Sequence, residues 1–134
     1  QIGLGAIISA SHAALACGDL RGCWETAAAA GWSLQALNPW HVPALEATAL
    51  VNPAGALAQG VHRALAPVVL LATCGLAWMA QQRDQRRTAS WLYLLSFGVV
   101  AAGLVSVGAG LPMLTVLLHN ALAAMLLAVV VRLV

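Results

Sequence analysis

The stretch VVLLATCGLAWMA, residues 68–80, carries no charge and no alternation of polar with apolar residues, and it is one of several such runs in the chain. A continuous apolar run suits a helix surrounded by lipid, whereas the strands of a membrane barrel alternate. Composition leaves little else open. Of the 134 residues, 62% are hydrophobic and 7% are charged, where a soluble domain carries about 25% charged residues. So few charges cannot cover a surface that faces water. The expected fold class is therefore all-α, an integral membrane four-helix bundle with no soluble domain attached. There is no lysine, and a net charge of +2 is too small to suggest nucleic acid as a partner.

Four apolar segments follow from the pattern: 1–16, 53–80, 91–109 and 112–134. The first, QIGLGAIISASHAALA, has 16 residues, and a spanning helix needs about 20. No basic region precedes it and residue 1 is Gln, so it does not read as a signal peptide. The expectation is a transmembrane helix entered part-way along, in a fragment or processed half of a longer protein. Pro53 and Pro112 both suit a first helical turn. Pro67 lies inside its segment and is expected to bend it.

The connections give an orientation. QQRDQRRTAS, 81–90, sets three arginines against one aspartate, which places it in the cytoplasm by the positive-inside rule. The long segment 17–52 holds Asp19, Glu25 and Glu46 against Arg21 alone. It is then extracytoplasmic, as is the turn GAGLP at 108–112. Arg132 falls at the inner end of the last segment. Trp78 and Trp91 flank the basic loop, while Trp24, Trp32 and Trp40 lie in the outer one, as an aromatic belt requires. A short surface helix is expected within CWETAAAAGWSLQAL, 23–37. Gly98, Ala102, Ser106 and Gly110 recur every four residues, a stripe that lets a neighbouring helix or a flat ligand approach.

Two histidines share a depth. His62 is nine residues beyond Pro53 and His119 seven beyond Pro112. At 1.5 Å per residue they lie roughly 13 and 10 Å below the outer surface. Imidazoles at matched depth on different helices suit the two axial positions of a haem, a flat ring that needs small residues around it. Ala58, Ala66, Ala121, Ala123 and Ala124 supply such residues. Zinc would want three or four ligands, and no Cys, Asp or Glu lies at that depth. The plainer alternative is that each histidine hydrogen-bonds another helix. Arg63 stays charged at this depth, and a haem propionate is its nearest anion; Glu46, Asp19 or a lipid phosphate are the competing partners. His12 and His41 read as structural or interfacial.

Cys17 and Cys23 are spaced to close a small loop, and an extracytoplasmic position permits a disulfide. A reactive dithiol is the alternative. Cys74 reads as a small buried hydrophobe.

Taken together, Q-I-x-L-G at the start, L-A-C-x5-C, H-R-x-x-A, and above all GLPMLTVLLHNALAAMLLA resemble the carboxyl-terminal half of haem A synthase across essentially the whole chain. That family consists of two similar four-helix halves, so the resemblance implies one half of a pseudo-symmetric eight-helix protein of the bacterial cytoplasmic membrane. It implies haem b as cofactor, with His62 and His119 as iron ligands, and it matches Cys17 and Cys23 to the family's outer-loop cysteine pair. The implied activity is oxidation of the methyl group of haem O to the formyl group of haem A, for cytochrome oxidase. Haem O and haem A would occupy the missing half or a second copy, and haem O synthase or a terminal oxidase would be partners besides membrane lipid. No acid lies within the spans, so no catalytic residue is assigned here. The alternative function is a bis-histidine haem b anchor that passes electrons between a quinone and a redox partner.

Overall fold

The structure, a computed structural model, describes residues 1–41, 51–110 and 113–133. The expectations placed on Glu46 and Pro112 fall outside those residues. The described chain is all-helical: α1 (Ile2–Ala10), α2 (Leu20–Ala29), α3 (Ala56–Gln82), α4 (Arg86–Gly108) and α5 (Met113–Leu133), with 3-10 turns at Leu34–Leu37 and Pro53–Gly55. Three stretches are long and apolar enough to cross a membrane, Pro53–Gln82, Arg86–Gly108 and Met113–Leu133. The chain divides into two compact units, Gln1–Ala66 and Pro67–Val134. The boundary falls inside α3 at Pro67, whose nitrogen has no hydrogen to give the Arg63 carbonyl.

In the first unit, helix α1 stops at Ala10 rather than running on to residue 16. Neither Gly nor Pro marks the stop. His12 takes the left-handed conformation at φ 56°. Its N–H donates to the Ser9 carbonyl at 3.5 Å, and the Ala13 N–H donates to that of Ile8 at 3.0 Å. These two bonds close the helix end in the manner usually reserved for glycine. The end is held from far along the chain. Asn52 donates through Nδ2 to the Ser11 carbonyl at 3.1 Å and through its backbone N–H to the His12 carbonyl at 3.2 Å.

Helix α2 starts three residues before the surface helix expected from sequence, because Asp19 caps it: its carboxylate accepts the Gly22 N–H at 2.6 Å. It ends at Ala29 through the left-handed pair Gly31 and Trp32, and a separate 3-10 turn follows, so one continuous helix to Leu37 does not form. Its inner face buries Cys23 and Ala27 against Ala56 and Leu57 at the head of α3. Gly60 permits this approach, since a Cβ there would lie 3.2 Å from both Cys23 Cβ and Trp24 Cζ3. A second cluster joins Ile8, Ala13 and Ala58. Most of these buried residues are alanine or cysteine. A buried methyl contributes about 0.8 kcal/mol against 1.5–3 for a large aliphatic side chain, so this core is weak. The Cys17–Cys23 disulfide and hydrogen bonds therefore matter more here, among the latter Gln59, buried, donating to the Ala14 carbonyl at 2.8 Å.

In the second unit the basic connection is a tight corner. Helix α3 continues through Gln82 and α4 begins at Arg86, with Asp84 left-handed at φ 57° between them. Helix α3 meets α4 where Ser96 Oγ donates to Thr73 Oγ1 at 2.8 Å, both residues being buried. Helices α4 and α5 run antiparallel and in close contact. Of the small-residue stripe, Ala102 and Ser106 are buried and Gly98 abuts Leu122 of α5. Helix α5 buries no residue, and Met113 and Leu114 are each 78% exposed. Such a surface is tolerable only against lipid or another apolar partner.

Candidate functional site

Each unit carries one of the two histidines for which the sequence predicts a shared depth. In the second unit, His119 projects from α5 onto α4 and is partly buried. Its Nδ1 lies 2.9 Å from the Val99 carbonyl oxygen. A carbonyl only accepts, so Nδ1 must carry the proton, and in the neutral ring Nε2 then keeps its lone pair. That is the tautomer a metal-binding imidazole needs, with the carbonyl bond that orients the ring already in place. The ring rests on Gly103: a Cβ there would stand 3.1 Å from both Cε1 and Nδ1. Val99 and Gly103 lie one turn apart, so a single stretch of α4 both bonds the imidazole and makes room for it.

In the first unit, His62 is partly buried on α3, within the span Pro53–Gln82. Its Cε1 faces Gly5 of α1, where a Cβ would lie 3.5 Å away. The Gln1 side chain donates through Nε2 to the His62 backbone carbonyl at 3.0 Å. Helix α1 thus touches both the ring and the main chain of this histidine.

Arg63 makes its hydrogen bonds to the main chain of the outer loop, and the Asp19 carboxylate lies near enough to attract it. Its Nη1 donates to the Gly18 carbonyl at 2.7 Å and its Nη2 to the Cys17 carbonyl at 3.3 Å. Among the described residues the ion pairs are Arg21–Glu25 and Arg86–Asp84, neither of which involves it. Two of its five N–H donors are committed to the loop, and three remain for an anion.

Cys17 and Cys23 form a disulfide, with Cα atoms 4.8 Å apart. The carbonyls that Arg63 binds therefore belong to a cross-linked loop. Cys74 is a free, half-buried thiol on α3. His12 is exposed and occupies the left-handed end of α1; His41 is also exposed, and its N–H donates to the Asn38 carbonyl at 3.1 Å. Among the described residues, no three His, Cys, Asp or Glu side chains gather into a metal-sized cluster.

Sequence reasoning missed Gly5, Gly103 and Gln1. Gln1 and Gly5 stand within the opening Q-I-x-L-G pattern, which was a signal without a role. Gly103 lies one residue off the small-residue stripe, about 100° around the helix. A family model described as cytochrome oxidase assembly protein (COX15-CtaA) matches residues 1–131. No curated protein and no solved structure shows a significant match.

Proposed function

The chain belongs to this family of cytochrome oxidase assembly proteins, which are haem A synthases and hence oxidoreductases of the membrane, and from that premise we propose that it forms the half that holds haem b. His62 and His119 are the iron ligands in this reading. The observation that carries it is the His119 imidazole. A carbonyl bond fixes its Nδ1 proton, its Nε2 lone pair is left to coordinate, and glycine backs the ring. Gly5 beside His62 supplies a similar small neighbour in the other unit. When bound, the haem supplies a one-electron redox centre.

The chain's own residues do the rest. His119 is oriented by Val99 and Gly103. Arg63 ties the Cys17–Cys23 loop to α3, and its three remaining donors would be available to a propionate, a charge-assisted contact of the stronger kind. The disulfide restricts that loop. The membrane is the bacterial cytoplasmic membrane, with 17–52 outside and 81–90 inside. Haem O and haem A are handled in the other half or a second copy, and haem O synthase and the terminal oxidase are the partners on either side of the reaction.

The test is a reduced-minus-oxidised visible spectrum of the full chain. His62→Ala and His119→Ala should each abolish or convert a low-spin b-type signal, whereas His12→Ala keeps it. Normal spectra from both single variants would overturn the ligand assignment. Deleting the gene should cause haem O to accumulate. A low-spin signal without that accumulation favours an electron-transferring haem b anchor instead.

A further inference from the structure

The other end of the second unit holds a groove of about 580 Å³ between the first turns of α4 and the last turns of α5. Arg87 and Arg132 stand on it, both exposed. Below them it is lined by Trp91 and Leu95 of α4 and by Met125 and Val129 of α5. The spacing is regular, with Arg87, Trp91 and Leu95 four apart on one helix and Met125, Val129 and Arg132 four and three apart on the other. These residues therefore form one face of each helix. No Asp or Glu lines the groove. Among the described residues neither arginine has an ion-pair partner, since the one nearby acid, Asp84, pairs with Arg86.

Two cations at the head of an apolar slot call for an anion with a hydrocarbon tail. From Arg87 to Leu95 the groove follows about 12 Å of helix, close to the roughly 15 Å of one leaflet's hydrocarbon. Trp91 is 43% exposed and sits where an indole meets the headgroup level. A small soluble anion would use the arginines and leave the apolar floor uncovered. We infer that this groove seats one anionic phospholipid, with its phosphate between Arg87 and Arg132 and an acyl chain along Trp91, Leu95, Met125 and Val129. Basic pockets between spanning helices are suited to such headgroups.

Native mass spectrometry of the full chain in mild detergent, titrated with phosphatidylglycerol or phosphatidylcholine, tests this. Wild type should hold one phosphatidylglycerol in preference to phosphatidylcholine. The double variant R87Q/R132Q should bind phosphatidylglycerol about thirtyfold more weakly, the effect of two charges near a membrane surface. R87K/R132K should retain the preference, because the phosphate needs charge more than geometry. Arg83→Gln, which removes a charge at the same end but outside the groove, should change affinity less than threefold. Circular dichroism checks that the variants remain helical, as exposed positions allow. Equal binding of both lipids, an equal loss in Arg83→Gln, or full competition by inorganic phosphate would each overturn the assignment.

Discussion

Replacing Gly103 with alanine separates a packing role from a ligand-orienting one. In a helix interior, Gly→Ala stabilises by about 1 kcal/mol. Gly75, in the middle of α3, meets nothing within 4 Å where its Cβ would be, so Gly75→Ala should show that full gain. At Gly103 the new Cβ would stand 3.1 Å from two His119 ring atoms. Ordinary carbon contacts lie at about 3.5–4.0 Å, so the ring must retreat by about 0.5 Å. Its bond to the Val99 carbonyl, now 2.9 Å, then stretches beyond the usual range. Losing that bond costs about 1 kcal/mol. The two effects nearly cancel at Gly103, which leaves it about 1 kcal/mol below Gly75→Ala, or roughly fivefold in the unfolding equilibrium constant. Reversible unfolding in mixed micelles measures the difference. Nitrogen-15 NMR of labelled histidine reads the tautomer, which should be Nδ1-protonated in wild type and mixed in Gly103→Ala. An equal gain at both glycines, together with an unchanged tautomer, would refute the view that α4 sets the His119 ring.

Other substitutions probe the first unit. Arg63→Leu removes the bonds to the Cys17 and Gly18 carbonyls and should cost about 1–3 kcal/mol. With haem bound it should also weaken retention or shift the midpoint potential, and an unfolding curve and potential identical to wild type would exclude both roles. Reducing or mutating the Cys17–Cys23 disulfide should cost about 2 kcal/mol, the chain-entropy value for so short a loop; peptide mapping without reductant should show the two segments linked, and free thiols would count against it. His12→Gly should stabilise by about 1 kcal/mol, because glycine takes the left-handed conformation freely, and a loss of stability would show that the imidazole itself is needed.

The sequence by itself determined the solvent and the scale of this protein. A chain this apolar and this poor in charge has to bury its helices in lipid, and the three spanning stretches are readable from composition because lipid selects on composition alone. That His62 lies on α3 and His119 on α5 follows from the apolar runs that hold them. The pairing of Cys17 with Cys23 was one of two readings, and the structure chose it. Tertiary structure decided the features that depend on backbone groups brought from far away. The run 1–16 is mostly apolar and holds neither Gly nor Pro near Ser11. Helix α1 ends there because Asn52, some forty residues along, binds the Ser11 and His12 main chain. Arg63 reads in sequence as a cation in search of an acid, and Asp19 does attract it, yet its hydrogen bonds go to the carbonyls of Cys17 and Gly18, a group every residue carries and no pattern can mark. Gly103 was legible as a small residue but not as the seat of His119. That role depends on the antiparallel register of α4 and α5, which brings 103 and 119 together, and register is set by packing between helices rather than by the period within one.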